Sequence, residues 1–177
     1  DKVWAGNGQD IVFGGEGRNV LDLGAGSDRA YGGNGVDVIR ARDGDDWIEA
    51  GGGKNKVIAG NGDDNVVTGD DNDLIKGGNG NDVMDAGDGN NRLYGGRGGD
   101  TLTTGVGDSL LSGGRDGDVY NVSVLGTGVS TIIDNGNAAS PNFYATGTFE
   151  VLNCTGARLD GGARHSLNVE ISGNDLV

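Results

Sequence analysis

The 177-residue sequence has few of the residue types that mark several common protein classes. It contains one cysteine, one proline, one histidine and few aromatic residues. A lone Cys154 excludes an internal disulfide, and no CxxC pair or Cys/His cluster is present to indicate a zinc site. No run approaches the roughly 20 apolar residues of a membrane span. We therefore expect no transmembrane segment.

Basic residues are also scarce. Lys and Arg number 13 against 27 Asp and Glu, which gives a net charge of −14. Because nucleic-acid phosphates are bound by Lys and Arg, this balance argues against a nucleic-acid partner. It argues equally against binding to an anionic membrane surface. The acidic excess instead predicts bound cations.

No catalytic arrangement is evident. His165, the only histidine, has no Ser or Cys arrangement around it in the sequence. Cys154 alternates with apolar residues, which favours a buried thiol over a nucleophile. Carboxylate pairs are too numerous to single out one pair as an acid and a base. We expect this chain not to be an enzyme.

Glycine is abundant, with 39 residues, and it falls in register with a nine-residue period. Residues 5–121 form thirteen consecutive units, unit 1 being 5–13 and unit 13 being 113–121, of the approximate form G-G-x-G-x-D-x-U-x, where U is apolar. The eighth position is apolar in every unit: Val12, Leu21, Ala30, Ile39, Ile48, Val57, Val66, Ile75, Met84, Leu93, Leu102, Leu111 and Tyr120. A fixed short period with one apolar position predicts a stacked solenoid.

The unit also predicts its own local structure. Glycines at positions two and four favour a tight loop over the first six residues. The last three residues make a short strand, in which the eighth side chain points inward and its neighbours point outward. Two units then form one coil, so that unit n stacks on unit n+2. The fold class we predict is all-β.

The sixth position separates odd from even units. In odd units it is always aspartate: Asp10, Asp28, Asp46, Asp64, Asp82, Asp100 and Asp118. In even units it is Asn19, Asp37, Asn55, Asp73, Asn91 and Ser109. We call the two rows of loops the odd edge and the even edge. A difference confined to alternate units is expected if those units line opposite edges.

Stacked aspartates require a positive partner. Successive strands of a sheet lie about 4.8 Å apart, so a column of carboxylates would repel itself. Calcium accepts six to eight oxygen ligands at about 2.3–2.6 Å in irregular geometry, whereas magnesium demands a near-ideal octahedron. Pairing loops n and n+2 predicts up to about eleven Ca²⁺ sites, six on the odd edge and five on the even edge. We expect tighter binding on the odd edge, where each site has two carboxylates.

The units GGNGND at 77–82, GGNGVD at 32–37 and AGNGDD at 59–64 resemble the calcium-binding nonapeptide repeats of RTX proteins. The resemblance covers residues 1–121 and implies a right-handed parallel β-roll exported by a bacterial type I secretion system. It implies side-chain ligands at the sixth positions, including Asn19, Asn55 and Asn91. It also implies carbonyl ligands from loop glycines: Gly6, Gly8, Gly24, Gly26, Gly60, Gly62, Gly78, Gly80, Gly96 and Gly98. Four residues depart from the pattern, namely Arg42, Asp71, Asp116 and Ser109, and leave the sites that touch them open.

The period stops after Asn121. Residues 122–177 contain four β-like runs, at 122–125, 130–133, 148–153 and 167–171, with turn signals at 135–136 and 160–162. We expect a β-rich C-terminal cap that covers the open end of the roll. A ligand-binding or assembly domain is the alternative. Residues 174–177 resemble the end of some type I secretion signals, and a degenerate repeat loop is the other interpretation.

Several aromatic residues occupy outward positions. Phe13, Tyr31 and Trp47 belong to odd units and should share one face of the roll. Scattered surface aromatics are common, so the alternative to a functional strip is an ordinary surface. If they form a strip, its expected partner is a second copy of the chain, a cell surface or a glycan.

Together these features predict a calcium-binding structural module of a secreted or cell-surface bacterial protein, for example an adhesin or a surface layer, that folds when calcium binds outside the cell. One alternative is the C-terminal secretion and stabilising region of a secreted enzyme such as a protease, lipase or epimerase. Another is a calcium-dependent adhesin that binds its ligand directly.

Overall fold

A computed structural model describes residues 1–123, 130–133, 142–146, 153–154 and 168–172. These residues form strands joined by turns and bends, and the described part of the chain contains no helix. Accordingly, it offers no helix long and apolar enough to cross a membrane. The prediction of an all-β fold is confirmed.

The strands form two sheets, each with nine described strands. The first sheet contains β1 (Lys2–Asn7), β3 (Val20–Ala25), β5 (Val38–Asp43), β7 (Lys56–Asn61), β9 (Leu74–Asn79), β11 (Arg92–Arg97), β13 (Leu110–Arg115), β15 (Thr131–Ile133) and β17 (Asn153–Cys154). The second contains β2 (Ile11–Phe13), β4 (Arg29–Tyr31), β6 (Trp47–Gly51), β8 (Asn65–Thr68), β10 (Val83–Asp85), β12 (Thr101–Thr104), β14 (Val119–Ser123), β16 (Asn142–Thr146) and β18 (Asn168–Ser172). Strands alternate between the sheets along the chain.

Every described strand pairing is parallel. Within the repeats the paired residues lie 18 positions apart, so that Leu21 pairs with Ile39 and Ile39 with Val57, except at a register shift where Gly51 pairs with Thr68. Unit n therefore stacks on unit n+2, as predicted. The resulting architecture is a parallel β-roll.

The core is a single column of side chains between the sheets. All thirteen eighth-position residues are buried, most of them completely. At roughly 1.5–3 kcal/mol for each buried aliphatic side chain, this column is the main apolar contribution to stability. It is one side chain wide per unit, which makes the core thin.

Positions one and six also point inward, which the sequence analysis did not predict for position one. Leu23, Ala41, Ala50, Ala59 and Ala86 are first-position residues, and all are buried. The reason is that strand alternation does not stop at the ninth residue: positions six, eight and the following one lie on the same side. A recognisable signal existed, because the first position holds only Gly, Ala, Leu or Thr.

The described strands beyond residue 121 extend the same two sheets. β15 pairs with β13, and β16 pairs with β14. The predicted runs at 122–125, 130–133 and 167–171 overlap β14, β15 and β18, whereas β16 was missed. Most of the run at 148–153, both turn signals, His165 and the end at 174–177 lie outside the described residues. The division into regions 1–121 and 122–177 stays a prediction.

Candidate metal centre

Adjacent loops on each edge are in direct backbone contact. Gly24 and Gly26 have φ of 111° and 126°, in the left-handed region that favours glycine. A Cβ on either residue would lie 1.8 Å from a carbonyl oxygen of the loop below, Gly6 O or Gly8 O. The loops therefore stack with carbonyl oxygens of one loop pressed against the next. Glycine, which has no Cβ, allows this approach without a clash.

The predicted carbonyl ligands share this geometry. All ten have positive φ and lie at positions two and four of odd-edge loops: Gly6, Gly8, Gly24, Gly26, Gly60, Gly62, Gly78, Gly80, Gly96 and Gly98. Their role as ligands stays a prediction.

Residues that depart from the repeat pattern behave in two ways. Arg42 and Asp116 keep positive φ, 84° and 77°, so their loops retain the glycine-like backbone. The Arg42 side chain turns outward to form an ion pair with Asp22. Asp71, by contrast, does not adopt the left-handed conformation, and its N–H donates to Gly69 O at 3.2 Å. The loop containing Asp71 thus departs from the repeat backbone, and the second-position glycines Gly69 and Gly105 also lack the left-handed φ.

Sixth-position side chains form a hydrogen-bonded ladder inside each edge. On the odd edge the backbone N–H of Asp10 donates to Oδ1 of Asp28 at 2.8 Å, and that of Asp28 donates to Oδ1 of Asp46 at 2.7 Å. The even edge repeats the pattern, with Asn19 N–H donating to Asp37 Oδ1 at 2.8 Å. One oxygen of each carboxylate is therefore satisfied by the preceding rung.

The second carboxylate oxygen has no such partner. Buried Oδ2 atoms that accept no hydrogen bond occur on Asp10, Asp28, Asp37, Asp46, Asp64, Asp73, Asp82 and Asp100. A buried charged oxygen without a partner carries a large desolvation cost, and native proteins rarely leave one unsatisfied. Eight such atoms in two regular rows indicate that a component with positive charge completes the structure.

In Asn19 the Nδ2 atom takes the place of the aspartate Oδ2, and its contacts show what surrounds that position. Its Nδ2 donates to Asp37 Oδ1 at 3.0 Å, to Gly15 O at 3.3 Å, and to Gly17 O and Gly32 O at 3.4 Å. Four oxygens from two successive loops thus converge on one point. The carbonyl of the first position, Gly32 here, belongs to this group, and the sequence analysis had not included it.

Aspartate Oδ2 atoms occupy the equivalent position. A Cβ built on Gly14, the first residue of unit 2, would lie 2.9 Å from Asn19 Nδ2. A Cβ on Gly32, the first residue of unit 4, would lie 2.6 Å from Asp37 Oδ2. In aspartate units an oxygen therefore faces loop carbonyls where asparagine presents an N–H donor. An ionised oxygen facing other oxygens is stable only with a positive partner between them, a bound proton or a cation.

The electrostatics of the odd edge agree with this conclusion. Burial, as the main cause, raises the pKa of Asp64 and Asp100 to about 7 and that of Asp46 and Asp82 to about 6. Neighbouring carboxylates, such as Asp82 and Asp46 around Asp64, raise the pKa further. Without a cation, the folded column thus favours bound protons over full ionisation.

The donor set fits a hard cation. Among the described residues no three Asp, Glu, His or Cys side chains converge on one point. The loops therefore offer one or two carboxylates together with backbone carbonyls. An oxygen-only set of irregular geometry with many carbonyls suits calcium better than magnesium or zinc.

The outward aromatic residues lie on the second sheet, on the face predicted. Phe13 and Tyr31 stack in parallel, with ring centroids 4.9 Å apart and planes 9° from parallel. Glu49, not Trp47, follows Tyr31 in this column. Trp47 lies in the neighbouring column, and its Nε1–H donates to Glu49 Oε1 at 2.9 Å. The aromatic group is therefore a stack of two rings, Phe13 and Tyr31, and Trp47 lies on the following strand in the adjacent column.

A parallel β-roll whose glycine loops converge carbonyl and carboxylate oxygens at both edges defines a class of calcium-binding solenoid. The family model described as the RTX calcium-binding nonapeptide repeat, in four copies, matches residues 1–30, 22–57, 31–66, 58–93 and 94–122. These matches together cover residues 1–122 of the 177. The chain belongs to this family, and its repeats are calcium-binding. No curated protein matches the chain.

Proposed function

We propose that this chain is a calcium-binding structural module of a secreted or cell-surface protein, and that its roll folds when calcium binds outside the cell. The observation that carries the proposal is the row of buried Oδ2 atoms on the odd edge from Asp10 to Asp100, each without a hydrogen-bond donor. We propose no catalytic role for the module itself.

Calcium is proposed to contribute directly to folding. The apolar core is one side chain wide, whereas ordering the backbone costs on the order of 1–2 kcal/mol per residue, with glycine at the expensive end. A ligand that binds only the folded state adds its binding free energy to stability. Six odd-edge loop pairs that each take up an ion would make folding cooperative with calcium.

Calcium-dependent folding would respond to the difference in calcium concentration between the inside and the outside of the cell. Extracellular calcium modules have dissociation constants around 10⁻⁴–10⁻³ M, which cytosolic calcium does not fill. The chain would stay extended inside the cell, in a form suited to export, and fold after it emerges. Family membership supports this proposal, since RTX repeat proteins are typically exported by type I secretion.

A calcium titration tests the proposal. We expect circular dichroism to show little strand signal in EGTA and a cooperative gain as calcium is added, with calorimetry counting the ions. Magnesium at the same concentration is the control and should not restore the signal. Strand content that is equal in EGTA and in calcium would contradict the proposal.

Ligand binding by the aromatic face is a second candidate. The observation that favours it is the exposed Phe13–Tyr31 stack, in which Phe13 is 70% exposed. Stacked rings on a flat sheet suit the apolar face of a sugar or a second copy of the chain. Binding of a glycan panel that needs calcium and is lost in Phe13→Ala and Trp47→Ala would support it, and no difference from wild type would count against it.

A further inference from the structure

The even edge contains hydrogen-bond donors at positions where the odd edge has only oxygen. Its buried sixth-position column alternates amide and carboxylate as far as Asn91 and then continues with hydroxyls. Ser130 continues the column after Ser109, because Thr131 N–H donates to Ser109 O at 2.7 Å and Ile132 pairs with Leu111.

Each asparagine on this edge donates its amide to its own loop. Besides Asn19, the Asn55 Nδ2 donates to Gly51 O at 2.9 Å. Asn91 Nδ2 lies within hydrogen-bond distance of four acceptors: Ala86 O (3.1 Å), Gly87 O (3.3 Å), Asp88 O (3.4 Å) and Thr104 Oγ1 (3.4 Å). All three asparagines are buried. The three amides thus supply hydrogen-bond donors to the carbonyl oxygens of their own loops.

The hydroxyls at the end of the column each donate to a further carbonyl oxygen. Ser109 Oγ donates to Gly89 O of the preceding even loop at 3.1 Å, and Ser130 Oγ donates to Gly107 O at 3.3 Å. Between units 10 and 12, the oxygens of the Asn91 loop therefore receive hydrogen bonds from Asn91 and Ser109 together. This loop pair is satisfied by the chain's own donors.

We propose that the side-chain amides of Asn19, Asn55 and Asn91 take the place of a bound cation at three of the even-edge loop pairs. This inference rests on the proposed calcium-dependent function. An amide N–H directs positive charge at the carbonyls as an ion would, and it occupies the point where they converge. A calcium ion needs those oxygens at about 2.3–2.6 Å, which the amide prevents.

The number and placement of ions follow. Calcium occupies the six odd-edge loop pairs and, on the even edge, only the pairs that begin at Asp37 and Asp73. The chain then binds about eight ions in place of the about eleven that loop counting predicts. The contacts from Asn19 to Gly32 and Asp37, and from Asn91 to Thr104, bridge successive loops without metal.

Counting ions in matched variants tests the proposal. Native mass spectrometry of the full chain in calcium should give one more bound ion for Asn19→Asp than for wild type. Asn91→Asp should gain one ion of lower affinity, because Ser109 supplies no carboxylate to that loop pair. Asn90→Asp is the control: it adds the same charge one residue away, at an exposed position whose Oδ1 accepts from Asp108 N–H at 2.8 Å. Its ion count should equal that of wild type.

A reciprocal variant distinguishes the loss of an ion site from a failure to fold. Asp64→Asn places an amide in an odd-edge loop pair and should bind at least one ion fewer while giving the wild-type circular dichroism spectrum in calcium. If Asn19→Asp binds the wild-type number of ions, or if folded Asp64→Asn does, the inference is wrong while calcium binding stands. A wild-type chain that binds no calcium overturns the proposed function and the inference with it.

Discussion

The odd and even edges of the roll have similar loop backbones and differ in the partners that their carbonyl oxygens receive. A Cβ on Gly24 of the odd edge would meet Gly6 O at 1.8 Å, and one on Gly33 of the even edge would meet Gly15 O at 2.1 Å. Loop stacking is thus the same on both edges. The sixth-position side chain alone decides whether the converging oxygens receive a hydrogen-bond donor or require a cation. One repeat therefore builds two edges with different dependence on metal.

The largest effect is expected where the shared backbone is disturbed. Gly8 and Gly26 have the same φ of 126°, but an added Cβ meets nothing within 4 Å at Gly8 and lies 1.8 Å from Gly8 O at Gly26. Gly8→Ala should cost about 1–2 kcal/mol for its left-handed backbone. Gly26→Ala should cost about 4 kcal/mol or more, because the stack must also separate.

Thermal unfolding of both variants in calcium measures this difference. The even-edge pair Gly17→Ala and Gly35→Ala provides the same comparison, since a Cβ meets nothing at Gly17 and lies 1.9 Å from Gly17 O at Gly35. Equal losses for the two members of either pair would show that loop stacking is not the constraint.

The next largest effect is expected at the sixth position, where removing the side chain in EGTA should change stability in opposite directions on the two edges. In calcium, Asp64→Ala should destabilise by about 3 kcal/mol, because Asp46 N–H loses its acceptor and an ion loses a ligand. Asn55→Ala should cost about 1–2 kcal/mol, since it removes the amide donor to Gly51 O and the oxygen that accepts from Asp37 N–H. In EGTA the two variants should differ in direction: Asp64→Ala removes a buried charge and raises the small residual strand signal, whereas Asn55→Ala lowers that signal.

Melting temperatures of both variants in calcium, and the strand signal in circular dichroism in EGTA, provide the measurement. If EGTA changes Asp64→Ala and Asn55→Ala in the same direction and to the same extent, the two edges do not differ in their dependence on metal.

The pH dependence should reverse with calcium. The folded-state pKa values of about 6 for Asp46 and Asp82 and about 7 for Asp64 and Asp100 lie above the usual value near 4. The ion-free folded roll then binds more protons than the unfolded chain. The stability that this proton binding adds is present below about pH 4 and is lost as the pH rises through about 7. Calcium binds the ionised carboxylates, so the calcium-loaded roll should instead gain stability over that interval.

The strand signal in EGTA and the melting temperature in calcium, each followed from pH 4 to 8, test the two directions. The asparagines of the even edge do not titrate, which assigns the effect mainly to the odd edge. Parallel slopes in the two conditions would contradict this account.

The smallest effect is expected at the aromatic stack. Phe13→Ala removes an exposed ring that contacts Tyr31, and such pairs contribute about 0.5–1.5 kcal/mol. The calcium count and midpoint should not change, because the residue lies on a sheet face and not at an edge. Calorimetric titration of the variant checks this, and a shifted midpoint would connect the aromatic face to the ion sites.

Much of the architecture was predictable because the period is strict. The 18-residue register, the buried eighth column and the placement of Asp64 and Asp82 on one edge follow from strand alternation repeated without insertion. The inward first position was missed because the glycine signal suggested turn structure throughout the loop. β16 was missed because the period is lost before residue 142, so no column remained to align it.

Composition and periodicity thus sufficed for the all-β class, the stacking of alternate units and the choice of an oxygen-binding cation, since each depends on spacing along the chain. The convergence of Gly15, Gly17 and Gly32 carbonyls on a single atom of residue 19 needed three dimensions, because those oxygens come from two loops and their directions depend on backbone angles. For the same reason only the folded chain distinguishes an asparagine that binds beside calcium from one that replaces it. That difference lies in which atom faces the carbonyls, and a sequence column does not record it.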